Sequence, residues 1–127
     1  MNVFGIEQLI RQMPANHVSP DIDAVSAARC MELLGSFNGS AMGLVSFEGE
    51  TGWECHPAGD ELLYYLEGEA QIRLITETGE VTRTVRKGDV AQIPKGLWHT
   101  QRTISPVRLF FITPVEGMMN VTERPAI

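Results

Sequence analysis

The stretch Gly52-Trp53-Glu54-Cys55-His56-Pro57-Ala58-Gly59-Asp60-Glu61, which runs on to Gly68, is the first of two linked motifs that decide the fold of this chain. The second motif is Gly88-Asp89-Val90-Ala91-Gln92-Ile93-Pro94-Lys95-Gly96-Leu97-Trp98-His99. Between them the motifs supply four residues of metal-ligand type, namely Glu54, His56, Glu61 and His99. The rest of the sequence offers no comparable chemical centre.

Strand geometry predicts that these four side chains can meet. Residues two apart on a strand point the same way, so Glu54 and His56 share a face. Glu61 begins a new strand after the turn at 57–60. Pro94-Lys95-Gly96 is typical of a tight turn, which places His99 early in the following strand. Nitrogen and carboxylate donors converging from two hairpins suit Zn, Fe, Ni or Mn.

Outward from the motifs, short runs rich in β-branched and aromatic residues alternate with turn-type clusters. Such an alternation of short strands and turns is typical of an all-β sandwich or barrel. The predicted strands lie near 41–48, 53–57, 61–67, 69–76, 80–86, 90–93, 97–104 and 107–113. Residues 77–80 are expected to form a hairpin tip.

The first 24 residues are predicted to be a short helical or irregular lead-in. Apolar residues at helical spacing indicate a helix that Pro14 ends. The segment Ser19-Pro20-Asp21 either starts a second helix or is a turn that leads into a strand through 29–37, and the strand is favoured. The predicted organisation is therefore a lead-in at 1–24 and one β-barrel domain at 25–127.

Composition excludes several classes of partner. A chain of 127 residues with 43% hydrophobic and 20% charged residues is typical of one globular domain. Its formal net charge of -6 argues against nucleic-acid binding. No apolar run is long enough to cross a membrane, and no secretory signal is visible. Cys30 and Cys55 are isolated, which favours reduced thiols and a cytoplasmic location.

The two motifs resemble those of the cupin superfamily, G-x5-H-x-H-x3–4-E-x6-G and G-x5-P-x-G-x2-H-x3-N. The matching residues are His56, Glu61 and Gly68 in the first motif and Gly88, Pro94, Gly96 and His99 in the second. Glu54 stands where the family has its first histidine, and the glycine before it falls nearer, at Gly49 or Gly52. Thr103 stands where the family has an asparagine.

The resemblance implies a small, single-domain cupin jelly-roll β-barrel of the Cupin_2 kind, with motif 1 at 52–68 and motif 2 at 88–103. It also implies one divalent metal ion inside the barrel mouth and a homodimer. The additional carboxylate of Glu54 shifts the expectation toward Mn or Fe(II), with Zn and Ni still open. Glu54 itself is either a ligand or an uncoordinated base.

Three further residues, Tyr65, Gln101 and Phe111, line the pocket if strand parity holds; core packing is the alternative. The leading functional hypothesis is a metal-dependent enzyme, of dioxygenase, isomerase or lyase type, acting on a small organic molecule. The alternatives are a non-catalytic small-ligand-binding or sensor module on the same barrel, and a structural dimer with a vestigial site.

Overall fold

The structure is a computed structural model that describes residues 1–126, so Ile127, the last residue of the predicted barrel domain, lies outside it. The described chain contains two short helices, nine strands and the turns between them. In chain order these are α1 (Ile6–Arg11), β1 (Asn16–Val18), α2 (Ala24–Ala28), β2 (Met31–Phe37), β3 (Ser40–Gly49), β4 (Trp53–Cys55), β5 (Glu61–Thr76), β6 (Gly79–Arg86), β7 (Val90–Ile93), β8 (His99–Thr113) and β9 (Met119–Val121).

Two long strands form the centre of the sheet. β5 and β8 pair antiparallel from Leu62 opposite Ile112 to Leu74 opposite His99. The far half of β8 also pairs with β3, which carries β2 and β1 on its other side, while β5 pairs with β7 and then β6 along its free edge. The strands curl into an all-β jelly roll, which confirms the predicted fold class.

β5 and β8 are each continuous, whereas the sequence predicted two strands for each, broken near Gly68 and at Ser105-Pro106. Instead of turns, these residues form an irregular stretch in which the register between β5 and β8 shifts. Gly68 has a φ of +86°, and the position of its missing Cβ is 2.0 Å from the carbonyl oxygen of Pro106. Bulges accommodate a proline and a left-handed glycine without ending a strand.

The lead-in contains more regular structure than predicted. The first helix is present, and its Ile10 is buried. The turn at Pro20 and the strand β2 form as favoured, but a second helix forms as well. That helix starts after Asp23, whose side chain accepts a hydrogen bond of 2.8 Å from the Ser26 backbone N–H, and not after Ser19.

The lead-in is bonded to the barrel at two places. β1 pairs parallel with the end of β3, Asn16 opposite Phe47 and Val18 opposite Gly49. The guanidinium of Arg108 on β8 donates 3.0 Å to the backbone oxygen of Met13. The residues before the motifs are therefore held against the sheet.

The core lies between the curled halves of the sheet. Phe47, Tyr65, Val107 and Leu109 are almost completely buried, and they come from the three central strands β3, β5 and β8. No helix in residues 1–126 has the length and hydropathy needed to span a bilayer.

Two motif glycines give a stability test of the bulge. Gly68→Ala should lower the free energy of unfolding in two ways. Placing alanine at a positive φ costs about 1–2 kcal/mol, and the collision of its Cβ with the backbone of Pro106 costs roughly 1–3 kcal/mol more. Gly88 also has a positive φ, +93°, but no atom lies within 4 Å of its missing Cβ. We expect Gly88→Ala to show the strain alone. Urea unfolding of both variants measures the difference, and equal losses would contradict the bulge packing.

Candidate metal centre

Strand pairing brings the two motifs together. Glu54 on β4 lies opposite His99 at the start of β8, and His56 follows β4 directly. The backbone N–H of Gly96 donates 3.0 Å to the carbonyl oxygen of His56, which joins the turn of the second motif to the first. The predicted turns thus place both imidazoles at one end of the barrel.

Asp60 fixes the second motif from beside Glu61. Its Oδ1 accepts a 2.8 Å hydrogen bond from the backbone N–H of Lys95, and its Oδ2 accepts one of 2.9 Å from the Gln92 side chain. Both carboxylate oxygens are therefore used to hold the Pro94–Gly96 turn. This contact ties the start of β5, where Glu61 lies, to the loop that leads to His99.

The structure brings all four predicted ligand residues together. One ligand atom from each of Glu54, His56, Glu61 and His99 lies within 4.8 Å of all the others. His99 Nε2 is 3.1 Å from Glu61 Oε1, and His56 Nε2 is 3.3 Å from Glu61 Oε2. Glu54 Oε2 is 3.5 Å from His56 Nε2 and 3.9 Å from His99 Nε2. Donors bound about 2.1 Å from one shared ion lie roughly 3 to 4 Å apart, so this spacing fits a single cation.

His56 supplies a direct test of that fit. Its side chain is 2% exposed, yet neither ring nitrogen makes a hydrogen bond within the described chain. Its Nε2 is close to two carboxylate oxygens, but the alignment is not that of an N–H donor. Buried polar atoms are normally paired, and a metal ion bound to Nε2 would satisfy this one. The residues present therefore fit a divalent cation.

His99 is oriented for the same role. Its Nδ1 lies 3.3 Å from the carbonyl oxygen of Leu97, a contact that suits an Nδ1–H donor. The remaining nitrogen, Nε2, lies 3.1 Å from Glu61 Oε1. With a proton, Nε2 donates a hydrogen bond to this carboxylate, and without one it offers its lone pair to a metal ion at the same place.

Glu61 is the most deeply engaged carboxylate. Its Oε2 accepts a 2.7 Å hydrogen bond from the hydroxyl of Thr113 at the end of β8. Burial by itself raises the pKa of Glu61, but the two imidazoles of His56 and His99 next to it outweigh burial and lower that pKa to about 2. Burial lowers the pKa of His56, but Glu54 and Glu61 outweigh it and raise that pKa to about 10. The centre thus holds a positive charge strongly, as a proton or as a metal.

The centre opens onto a cavity of about 260 Å³ whose wall is mostly apolar. Glu54, His56 and Glu61 form part of its lining, and Glu54 keeps 31% of its side chain exposed. The apolar wall includes Phe47, Leu63, Leu109, Phe111 and Met118. A larger surface groove of about 590 Å³, between α2 and β2, shares residues with this cavity and lies beside it.

The three predicted pocket residues have different positions. Gln101 and Phe111 line the cavity. Tyr65 is completely buried behind the wall, and its hydroxyl donates 2.6 Å to Gln101 Oε1. Its pKa is raised by burial and by the charge of Glu61. Tyr65 therefore supports a lining residue and lies outside the lining itself.

Several cavity residues were not predicted from the sequence. Thr113 holds Glu61, and Thr51, Asn120 and Met118 contribute to the wall, as do Val18 and Ile22 of the lead-in. Side chains alternate between the two faces of a strand, so residues an even number apart share a face. This alternation along β8 could have identified Thr113, which is an even number of residues from His99. The lead-in and the C-terminal segment carry no motif, so only the fold shows that they reach the cavity.

Comparison with known protein families gives a match to the Cupin_2 model, described as a cupin domain, over residues 43–113. Among curated proteins, germin-like protein 1-3 of Oryza sativa subsp. japonica is 27% identical over 116 residues, which cover 87% of this chain and 52% of that protein. The chain spans about half, or less, of the length of the first germin-like proteins it matches.

Two solved structures show the same architecture. A cupin-2 domain protein from Shewanella frigidimarina superposes with a TM-score of 0.66 at 23% identity, covering 88% of this chain and 94% of that one. A mutant of oxalate decarboxylase from Bacillus subtilis has a TM-score of 0.57 at 22% identity, covering 65% of this chain and 24% of that one. At these identities the likeness establishes the fold.

Proposed function

The chain belongs to the cupin family, and from this membership and its donor cluster we propose that it is a metal-dependent enzyme acting on a small organic molecule. One observation carries the proposal. Four ligand-type atoms within 4.8 Å of one another lie at a cavity large enough for a small molecule. A purely structural polar cluster would have no need of such a cavity.

We assign metal binding to Glu54, His56, Glu61 and His99. Bound there, a divalent ion supplies Lewis acidity or, if it is iron or manganese, redox chemistry suited to a dioxygenase, isomerase or lyase. The oxygen-rich donor set favours Mn and Fe(II) over Zn and Ni. Both carboxylates are needed to balance the charge of the ion in a buried site.

The two glutamates have different surroundings, and this supports a catalytic function. Glu61 contacts both imidazoles and Thr113 and is buried, so its oxygens are committed to holding the centre. Glu54 lines the cavity, is partly exposed and lies farther from both imidazoles. Glu54 is therefore accessible to a molecule in the cavity, and when it is not bound to the ion it can exchange a proton with that molecule while the other three residues keep their positions.

Elemental analysis of untagged protein tests the metal, and we expect close to one Mn or Fe per chain. Iron- or manganese-loaded protein is then incubated with diketones, catechols and thiols while oxygen uptake and product are measured. Product formation that is lost in Glu54→Ala supports the enzyme. Saturable binding without any product would instead favour a carrier or sensor, and protein that takes up no divalent metal would contradict the proposal.

A further inference from the structure

The cavity has an unusual balance of charge for a site that would hold a metal ion. We propose, on the basis of the metal centre proposed above, that it takes an uncharged small molecule with a carbonyl-type oxygen, bound by the amide N–H of Gln101, and that it rejects small dianions. The ligand class follows from three properties of the described residues: the charge of the centre, the orientation of Gln101 and the character of the wall.

The charge of the loaded centre is zero. Glu54 and Glu61 supply two negative charges, which cancel those of a divalent ion, whereas one carboxylate with three neutral imidazoles would leave one positive charge. Within residues 1–126, the cavity lining contains no lysine or arginine. A dicarboxylate entering this site would lose its hydration and gain no net cationic partner, which makes its binding unfavourable.

Gln101 is oriented by Tyr65. The buried Tyr65 hydroxyl donates to Gln101 Oε1 at 2.6 Å, and it is the oxygen of the amide that can accept this proton. The amide nitrogen of Gln101 consequently points away from Tyr65, and no group in the described part of the chain accepts a hydrogen bond from it. Because Gln101 lines the cavity, its N–H groups are available to an acceptor on a ligand.

The wall sets the size and character of the ligand. The volume of about 260 Å³ is below the roughly 300–1,000 Å³ of pockets for drug-sized molecules. Val45, Phe47, Leu109 and Phe111 contribute an apolar surface that faces the ligand. A compact molecule with alkyl groups and a carbonyl oxygen satisfies both the wall and Gln101.

Two probes with the same skeleton test the charge argument. Acetylacetone and malonate are both 1,3-dicarbonyl compounds, and malonate carries charged oxygens where acetylacetone carries methyl groups. Calorimetric titration of metal-loaded protein measures binding without any requirement for turnover, and metal content is checked after each titration. We expect acetylacetone to bind at least about tenfold more tightly than malonate. At neutral pH acetylacetone is mainly uncharged and malonate is a dianion, so malonate would bind better if Coulomb attraction to the metal alone governed affinity.

Two variants separate the contributions of charge and hydrogen bonding. Gln101→Glu keeps an oxygen for Tyr65 but turns an acceptor toward the ligand, so we expect acetylacetone affinity to fall tenfold or more while metal content is unchanged. Glu54→His adds one positive charge to the loaded centre and is expected to raise malonate affinity tenfold or more. Gln8→Glu, which adds the same charge as Gln101→Glu on exposed α1, serves as the matched control.

The outcomes distinguish this inference from the proposed function. Protein without metal overturns the proposed function and, with it, the charge argument. Metal-loaded protein that prefers malonate, or that binds neither probe, overturns the ligand class and leaves the metal centre standing. Unchanged acetylacetone binding in Gln101→Glu overturns the assignment of Gln101.

Discussion

Replacing Glu61 with glutamine should remove bound metal almost completely, with a loss of affinity greater than the roughly 10- to 100-fold that follows removal of an outer partner of a metal ligand. The substitution keeps the shape of the side chain and its contact with Thr113 but removes the charge between the two imidazoles. His56 and His99 then remain with Glu54 alone, which is partly exposed and more distant. Metal content after dialysis against limiting Mn or Fe(II) measures the effect.

Glu77→Gln is the matched control, because Glu77 is exposed at the tip of the β5–β6 hairpin and the same charge is removed. We expect the control to retain the metal content of the unchanged protein. His99→Ala should resemble Glu61→Gln. Full occupancy in both ligand variants, with the fold intact by circular dichroism, would reject the ligand assignment.

The metal-free protein should depend on pH through the same centre. The pKa of Glu61 is lowered from 4.5 to about 2, so its stabilisation is present above pH 4.5 and is lost as pH falls toward 2. The pKa of His56 is raised from 6.5 to about 10, so its stabilisation is present below pH 6.5 and is lost as pH rises toward 10. Stability from this pair is therefore greatest between pH 4.5 and 6.5.

The loss is on the order of 3 kcal/mol on the acid side and on the order of 5 kcal/mol on the alkaline side, and the attraction between His56 and Glu61 counts once because it contributes to both shifts. Urea unfolding of chelator-treated protein across these windows measures it. In Glu61→Gln the loss of stability between pH 4.5 and 2 should be smaller. His17→Gln alters an exposed pair with Glu48, and it should leave the losses on both the acid and the alkaline side unchanged. A flat profile in the unchanged protein would contradict the proposed coupling.

Metal affinity should rise at alkaline pH, where the stability of the metal-free protein falls. An ion on His56 Nε2 must replace a proton whose binding is favoured by the charges of Glu54 and Glu61, so metal binding releases a proton and strengthens as pH rises toward 10. The stabilisation that added metal gives should consequently increase where the metal-free protein weakens.

The convergence of the four candidate ligands could be predicted from the sequence because each motif sets where its own side chains point. Turn chemistry at Pro94-Lys95-Gly96 and alternation along β4 determine where His99, Glu54 and His56 point, and both are visible in the residue order. Gly68 and Pro106 were misread as turns because a glycine or proline has the same signature in a bulge as in a loop. Only the pairing of β5 with β8, an interaction between distant segments, distinguishes them.

The same limit applies to the cavity. Thr113, Ile22 and Asn120 reach it from segments without periodicity or motif, and their positions depend on how β1 and β9 join the sheet. Tyr65 was predicted to line the pocket, with core packing as the alternative, and it lies behind the wall instead. Its contact with Gln101 depends on the distance between two strands, which the sequence does not show.

The wall of the cavity comes largely from segments outside the two motifs, including α2, the lead-in and the chain after β8. In the enzyme that we propose, selectivity and reactivity would thus be encoded on separate stretches of the polypeptide. A library of variants at Ile22, Met31, Val115 and Met118 could change which compounds enter the cavity while leaving the four candidate metal ligands unchanged. By the same reasoning, two relatives with identical motifs need not share a substrate.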